Sequence, residues 1–335
     1  MTAGQPTTPV DGSGTPAASP QAGPRRRWLR RALVAASLLG IIALVSAELV
    51  ARFLLRMGDP PLYRADAQCE YLMVPSRSYF RFRFTSTYNA WSMRATPDFA
   101  EEKGSPEERR ILVFGDSVVN GGPQTDDKAL ATTLIPAQLQ SLSGRPTIVA
   151  NVSAGGWSPG NMLGYAKKFG FFDADVVVIV LNNGDAFDHP SFRPLGRDFP
   201  TRTPALALQE VFLRYIPNYL DTKFGKAGTV SDQPEANPRA LAALVELVAL
   251  ARASGAKVAA VLHPTKTEIT AGPKPGTKFL TQALADAAVP VVDARPFFAN
   301  GVDAGVRPYR DDVHPSRDGQ AVLAAALRQA ITQAR

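Results

Sequence analysis

The chain has 335 residues and 45% apolar residues, which suits one large or two small folded domains. Its net charge is +7, but residues 1–31 hold five arginines and one aspartate, a net +4. The rest is nearly balanced and has no basic stripe, which argues against nucleic-acid binding. The single cysteine, Cys69, excludes an internal disulfide and any site with several cysteine ligands.

The N-terminal region divides by composition into two segments. Residues 1–24 are rich in Pro, Gly, Ser, Thr, Ala and Gln, and with the arginines that follow they predict a disordered basic tail over 1–31. Residues 32–47 carry no charge and are shorter than the roughly 20 residues that span a bilayer. Apolar flanks extend this run, and Arg52 and Arg56 can reach the far interface with their charged ends. The sequence therefore predicts a transmembrane anchor helix over 32–55.

The arginines before the anchor also predict its orientation. A cleaved signal peptide is the alternative, but no clean small-x-small site follows the apolar run. The positive flank favours a cytoplasmic N-terminus, with the rest of the chain outside the membrane. In a bacterium with two membranes, this describes a single-pass inner-membrane protein whose main domain is periplasmic.

Residues 56–110 form a lead-in segment before the main domain, which is predicted over 111–335. The alternation of aromatic and basic residues in 79–84 predicts one strand with a single wet face. We expect the lead-in to pack on the main domain rather than to fold alone.

From residue 111 onward, apolar strand patterns alternate with helical ones. The strands are predicted over 111–114, 147–151, 175–181, 257–262 and 290–294, the last beginning at Val291 if Pro290 lies outside it. Helical spacing covers 129–142, 240–253 and 320–334. This alternation predicts a parallel sheet in a three-layer α/β/α fold. Residues 186–236 contain six prolines and read as an insertion that covers the functional site.

Two short motifs at opposite ends of the main domain suggest nucleophilic chemistry. Gly115-Asp116-Ser117 follows the first strand, where open α/β sheets place their ligands. We expect a loop between this motif and the next helix. Asp311 precedes His314 by three residues, so the two can supply the orienting group and the base that a serine nucleophile needs. Alternatively, the first motif is an ordinary turn and the second is a surface histidine beside a helix start at Ser316.

With both motifs in this order, the chain resembles the SGNH/GDSL hydrolases. Their first block is Gly-Asp-Ser, here 115–117, and their last is Asp-x-x-His-Pro, here 311–315. The resemblance implies a flavodoxin-like sheet of strand order 2-1-3-4-5, and a catalytic triad of Ser117, His314 and Asp311. Membrane-anchored members often carry a similar strand-bearing segment before the first block.

The resemblance also implies three oxyanion donors, because acyl transfer needs hydrogen bonds to the developing negative charge. They are the Ser117 backbone N–H, a glycine N–H after the second strand and an asparagine side chain after the third. Gly156 fits the glycine best, with Gly155 as the alternative. The third block departs from the family's Gly-x-Asn-Asp, because Gly184 stands where its asparagine belongs. We favour Asn183 as the donor, while Asn182 or a missing donor remain alternatives.

The other histidines are predicted to lie outside the catalytic machinery. His189 has a structural or substrate-contact role, and His263 ends the fourth strand, where it is a candidate substrate-binding residue. No His or carboxylate cluster has the spacing of metal ligands, so neither a metal nor another cofactor is predicted.

The expected function is a membrane-anchored serine esterase that removes O-acyl groups, O-acetyl above all, from cell-envelope or secreted glycan. Its partners would be the acylated substrate and the membrane, and not nucleic acid. One alternative is a carbohydrate O-acetyltransferase, which would need a multi-span membrane partner to supply acyl groups. The other is a non-catalytic envelope protein that binds or assembles polysaccharide.

Overall fold

The computed structural model describes residues 1–2, 24–224 and 235–334. It divides into two compact units, residues 1–47 and 48–335. Most of the predicted disordered tail lies outside the described residues, as do residues 225–234 of the predicted insertion.

Helix α1 (Pro24–Leu49) makes up most of the described part of the first unit. Its last two residues, and the π-helical turn over Val50–Leu54 that follows, belong to the second unit. The stretch Arg26–Leu54 is 29 residues long and apolar enough to cross a membrane. Its most apolar window is not buried by any other part of the described protein. A membrane anchor and a signal sequence both have this length, composition and position near the N-terminus.

Within the second unit, the lead-in segment forms two β-hairpins. Strand β1 (Tyr63–Asp66) pairs with β2 (Glu70–Met73), and β3 (Arg77–Arg81) pairs with β4 (Phe84–Tyr88). The prediction of one strand over 79–84 is wrong. Phe82 and Arg83 have φ angles of 49° and 72°, and this left-handed backbone makes the tight turn between β3 and β4.

A five-stranded parallel sheet organises the rest of the unit. Its strands are β5 (Arg109–Gly115), β6 (Thr147–Ser153), β7 (Val176–Leu181), β8 (Lys257–Leu262) and β9 (Val291–Asp293). Their order is β6-β5-β7-β8-β9, which confirms the predicted flavodoxin-like order. All six residues of β7 are buried, as expected for a β-branched strand that is covered on both faces.

Helices cover the sheet on both faces. In chain order they are α2 (Ser117–Asn120), α3 (Ala131–Leu134), α4 (Pro136–Ser143), α5 (Pro159–Phe169), α6 (Ala207–Glu210), α7 (Ile216–Phe224), α8 (Pro238–Ala253), α9 (Lys266–Ala271), α10 (Pro275–Asp286), α11 (Arg295–Asp303) and α12 (Arg317–Gln333). Short 3₁₀ turns occupy Gly122–Gln124, Asp127–Ala129 and Asn183–Ala186, and a π-helical turn occupies Val211–Tyr215.

Two hydrophobic cores lie between these layers. One joins a face of the sheet to α5, α8, α10 and the lead-in, and the other joins the opposite face to α3, α4, α11 and α12. The predicted three-layer fold is therefore confirmed. The single helix predicted over 129–142 is instead divided into α3 and α4, because Pro136 has no N–H to continue the hydrogen-bond ladder.

The lead-in packs into the first of these cores, since Cys69, Tyr71 and Leu72 are buried in it. The strand register brings the ends of the central strands together, with Gly115 opposite Ser153 in β6. The chain segments that leave these strands therefore meet at one edge of the sheet, and this is where the candidate site lies.

Candidate active site

The turn that presents Ser117 is a strand followed immediately by one helical turn. Asp116 caps α2, and its Oδ1 accepts a hydrogen bond from the Val118 N–H at 2.8 Å. A Cβ on Gly115 would lie 2.3 Å from the Val119 side chain, so only glycine allows α2 to fold back on β5 so closely. The predicted loop after the motif is therefore wrong in detail, because α2 begins at Ser117 itself and the loop follows it.

Side chains from distant parts of the chain hold α2 through its carbonyl groups, which a one-turn helix leaves without internal partners. The Val118 oxygen accepts from Gln320 Nε2 at 2.8 Å, and the Val119 oxygen accepts from Asn151 Nδ2 at 2.9 Å. The Asn120 oxygen accepts from Arg94 at 3.2 Å, and the Gly121 oxygen accepts from Arg310 at 3.2 Å. These bonds fix the backbone that carries Ser117.

The loop before α12 brings His314 and Asp311 to Ser117. His314 Nε2 lies 2.9 Å from Ser117 Oγ, and His314 Nδ1 lies 2.7 Å from Asp311 Oδ2. The three residues predicted from the two motifs are thus joined in one hydrogen-bonded series, although 197 positions separate the serine from the histidine. Ser316 caps α12 through the Gly319 N–H, so the histidine also stands beside a helix start.

Hydrogen bonds keep Asp311 in its charged form. Partial burial raises the pKa of this carboxyl, but the backbone N–H groups of His314 and Val313 and the His314 ring lower it further. The net shift of the Asp311 pKa is downward, so its carboxylate is ionised throughout the neutral range.

Gly156 lines a cavity of about 220 Å³ together with residues of the lead-in and of the predicted insertion. Its φ of +76° is a left-handed conformation, and a Cβ there would stand 3.1 Å from the Tyr71 hydroxyl. Tyr71 donates to the Gly155 carbonyl at 2.9 Å, and its ring packs on Phe199 at 4.7 Å between centroids. The lead-in and the insertion therefore close over this glycine loop together. His189 is half-buried and lines the same cavity.

The third block places its two asparagines differently. Asn182 Nδ2 donates to Asp116 Oδ2 at 2.8 Å, next to Ser117. Asn183 is 2% exposed, and its Oδ1 accepts from the Gly276 N–H at the start of α10 at 2.9 Å. Only the Nδ2 of Asn183 is thus left for an oxyanion, and the predicted role of Asn183 stays a prediction.

Two buried carboxyl groups surround Asn182. Asp185 Oδ2 accepts from the Asn182 backbone N–H at 2.7 Å. Burial and the nearby Asp116 raise the pKa of Asp185 well above its ordinary value. Burial also raises the pKa of Asp116, although the Val118 N–H and His314 lower it in part. The Asp185 carboxyl consequently retains its proton to a higher pH than an exposed aspartate.

His263 does not fit its predicted substrate contact. It is 1% exposed, lies against Phe298 and Tyr309, and its Nε2 lies 2.8 Å from the Val313 carbonyl oxygen. Burial lowers its pKa to about 4, so the ring is neutral at neutral pH. The His263 side chain, which follows β8, therefore faces the core beneath the loop that carries Asp311 and His314, and not the cleft.

Sequence reasoning missed the residues that hold α2. Arg94 is fully buried, and besides the Asn120 oxygen it bonds Asp127 Oδ1 at 2.7 Å and the Thr125 carbonyl at 2.7 Å. A lone arginine in a lead-in segment and a glutamine in the last helix belong to no short motif. Arg94 and Gln320 act through hydrogen bonds to residues that are distant in the sequence.

With this geometry described, comparison with known proteins identifies the class. The GDSL-like lipase/acylhydrolase family matches residues 113–322, which is more than half of the chain. The chain belongs to this family, whose members are also called SGNH hydrolases, and it is an ester-hydrolysing enzyme. No curated protein matches it.

Solved structures with a similar fold are distant in sequence. TesA is 20% identical over 67% of this chain and 98% of its own, with a TM-score of 0.41. The acetyl xylan esterase AlAXEase is 15% identical over 66% of this chain and 99% of its own, with a TM-score of 0.43. A lipolytic protein of the G-D-S-L family from Veillonella parvula is 13% identical over 67% of this chain and 98% of its own, with a TM-score of 0.39. At these identities the neighbours do not indicate the substrate of this chain.

Proposed function

We propose that this protein is a membrane-anchored esterase outside the cytoplasm, which removes O-acyl groups, O-acetyl above all, from cell-envelope or secreted glycan. The observation that supports the chemistry is the hydrogen-bonded series from Ser117 through His314 to Asp311, at 2.9 and 2.7 Å. These are the distances and the order that a serine nucleophile, its base and an orienting carboxylate require.

The first chemical step follows from the tautomer of His314. The ionised Asp311 accepts the Nδ1–H of the ring, so Nε2 carries the lone pair that faces Ser117 Oγ. As Oγ attacks the ester carbonyl, its proton moves to Nε2, and the carbonyl electron pair moves onto oxygen as an oxyanion. His314 then returns that proton to the leaving alkoxide as the ester bond breaks, which leaves an acyl group on Ser117.

Water completes the cycle by the same groups. His314 takes a proton from water, the hydroxide attacks the acyl carbonyl, and Ser117 leaves with the proton from His314. The negative charge on Asp311 stabilises the imidazolium in both halves. The carbonyl groups of residues 118–121 accept hydrogen bonds from four distant side chains. Ser117 therefore does not have to reorganise between acylation and deacylation.

The oxyanion is stabilised by the Ser117 and Gly156 backbone N–H groups and by an asparagine of the third block. The sequence favours Asn183 as this donor, whereas the side-chain amide of Asn182 donates to Asp116, which precedes Ser117. Replacing the true donor by alanine lowers kcat by about 10²–10³-fold. Single alanine variants at both positions, compared at equal folded fraction, identify the donor by that loss.

The location motivates the substrate class. The apolar stretch Arg26–Leu54 with arginines before it fits an anchor whose N-terminus is cytoplasmic. An enzyme tethered outside the membrane meets polysaccharide, peptidoglycan and lipid rather than metabolites. Carbonate washing of membranes tests this anchor, since a full-length protein released into the soluble fraction would contradict it.

The catalytic proposal is tested by Ser117→Ala on a short acyl ester. The expected result is loss of hydrolysis to near the uncatalysed level, because no other group in the series can form the acyl intermediate. Ser254→Ala is a matched control, since Ser254 is exposed at the end of α8 and bonds only a local carbonyl. Full activity of Ser117→Ala would refute the proposal.

Hydrolysis and acyl transfer to sugar differ in what attacks the acyl-enzyme. Incubating the protein with an acetylated glycan, an unacetylated glycan and an activated acetyl ester separates them. Acetate release without acetylation of the second glycan supports the esterase. Acetyl transfer that outpaces release would overturn it in favour of an O-acetyltransferase.

A further inference from the structure

The helical segment 206–224 has an apolar face that no other described part of the protein covers. Six of its large side chains are between 40% and 73% exposed, and these are Phe212, Leu213, Ile216, Tyr219, Leu220 and Phe224. Exposed apolar residues usually occur singly, and a cluster of this size on one helical segment marks an interaction surface. We refer to these six residues as the apolar face.

The helix that bears this face is held firmly from its other side. Arg81 of β3 bonds Glu210 with its two terminal guanidinium nitrogens, at 2.9 and 2.6 Å, and the two side chains are only 2% and 5% exposed. Arg81 also donates to the Tyr215 hydroxyl at 3.3 Å. A buried bidentate pair permits few alternative geometries. The apolar face therefore points outward because of how the helix is attached, and not because the helix is loosely placed.

The start of this segment is attached to the last residues of the predicted membrane span. Glu48 accepts hydrogen bonds from the N–H groups of Ala207 and Leu208, both at 2.9 Å, and thereby caps α6. Arg52 donates to the Ala205 carbonyl at 2.8 Å. Glu48 and Arg52 belong to the apolar stretch Arg26–Leu54. The segment that bears the apolar face is therefore joined to the last residues of this stretch, which would lie at the outer bilayer surface if the stretch crosses a membrane.

Cationic side chains accompany the apolar face. The Lys223 ammonium lies 5.6 Å from the Tyr219 ring centre and 5.5 Å from the Phe224 ring centre, so its stem runs along apolar surface. Arg202 lines one shallow cavity together with Leu213, and Arg197, which also lines it, is ion-paired with Asp221 of α7. Apolar side chains edged by cations are typical of helices that lie in a membrane interface and attract anionic headgroups.

We propose that the apolar face docks into the interface of the same bilayer that holds α1, with its cations against anionic phospholipid headgroups. The inference rests on the proposed anchor. Docking would also orient the enzyme, because Arg214 donates to the Asp198 carbonyl at 3.1 Å and Asp198 precedes Phe199, which packs over Gly156. The site would then stand at a fixed angle to the membrane surface.

The test places an environment-sensitive nitrobenzoxadiazole label at single introduced cysteines of the full chain in phosphatidylcholine/phosphatidylglycerol vesicles. Leu213→Cys and Leu220→Cys report on the apolar face, and Leu38→Cys reports on the anchor. Glu246→Cys on α8 is the control, since its side chain is 49% exposed on another helix. The native Cys69 is fully buried, and unsubstituted protein checks that it stays unlabelled. Thermal unfolding verifies that each variant is folded.

The expected result is blue-shifted emission at positions 213 and 220 and a loss of that emission when headgroup-proximal nitroxide lipids are added, because interfacial helices lie about 5–10 Å deep. Position 246 should show neither effect. Position 38 lies near the middle of the apolar stretch, so lipids that carry the nitroxide deep in the acyl chain are used for it. Quenching at 38 by these lipids without headgroup-nitroxide quenching at 213 and 220 overturns docking and leaves the anchor intact. Absence of acyl-chain quenching at 38 contradicts the anchor instead. Labels at 213 and 220 could instead be protected from quenching by aqueous iodide and also remain unquenched by nitroxide lipids. This result would indicate a protein partner or a second copy on the apolar face and would also overturn the proposal.

Discussion

His263 offers the sharpest test of how the catalytic loop is supported. The ring is fully buried and its pKa is lowered from 6.5 to about 4 by burial, with a smaller opposing effect of the Val313 carbonyl. Between pH 6.5 and pH 4, His263 is therefore protonated in the unfolded chain but not in the folded protein. The free energy of unfolding is unaffected by this ring above pH 6.5 and decreases as the pH falls towards 4. Lowering the pKa of this ring from 6.5 to about 4 corresponds to a loss of about 3 kcal/mol in the free energy of unfolding at low pH.

The assay is urea unfolding at pH 7 and pH 4.5. His263→Gln removes the titrating ring but keeps an N–H that can reach the Val313 carbonyl, and His263→Leu removes both. Wild type should lose about 2–3 kcal/mol more than His263→Gln between the two pH values. Comparing the two proteins cancels the opposite contribution of carboxyls with raised pKa values, such as Asp185. An equal loss in wild type and His263→Gln would refute the reasoning.

The same variants report on positioning, because Val313 is adjacent to His314. His263→Leu should lower kcat on a short ester, and His263→Gln should recover most of it, with little change in KM for either. If the two variants lose kcat equally, the hydrogen bond to Val313 does not position His314.

Three further changes test the surroundings of the site. Arg94→Ala should lower the free energy of unfolding by about 3–5 kcal/mol, because it leaves buried acceptors unpaired. The control Arg64→Ala, at an exposed position, should change that free energy by less than about 0.5 kcal/mol. Chemical denaturation measures both variants, and equal effects would contradict the role of Arg94. Asp185→Asn should leave stability at pH 7 unchanged or higher, with a margin over wild type that grows as pH rises above 4. The unfolded chain then ionises this carboxyl while the folded protein keeps it protonated, and a margin that shrinks with rising pH would contradict the raised pKa of Asp185. Gly156→Ala should cost about 1–2 kcal/mol for its left-handed backbone, measured by thermal unfolding, and unchanged stability would contradict that strain. Alanine keeps the backbone N–H, so kcat for ester hydrolysis should fall only as far as the strained loop shifts.

The sequence was most informative where local pattern decides structure. Continuous β-branched runs such as β7 are buried on both faces in nearly any context, so the five parallel strands could be predicted closely. Ser117, Asp311 and His314 could be found because each lies in a short motif whose chemistry requires the others. The three side chains then lie close together because the carboxyl ends of the parallel strands meet at one edge of the sheet.

Other features depend on information that a local pattern lacks. The alternation in 79–84 continues through both strands of the hairpin, and Phe82 and Arg83 give no sign of the left-handed turn between them. His263 ends a strand at the right edge, but its side chain faces the core, and this direction depends on packing against Phe298. Arg94 and Gln320 act across the fold and have no motif at all.

The central claim is that Ser117 is activated by His314 and Asp311. A fluorophosphonate probe measures this most directly, because it phosphonylates an activated serine and spares an ordinary hydroxyl. The full-length protein should be labelled at Ser117, identified by mass spectrometry of its peptide, and His314→Ala should suppress labelling as strongly as Ser117→Ala. A folded wild-type protein that stays unlabelled, or labelling that is undiminished in His314→Ala, would contradict the account.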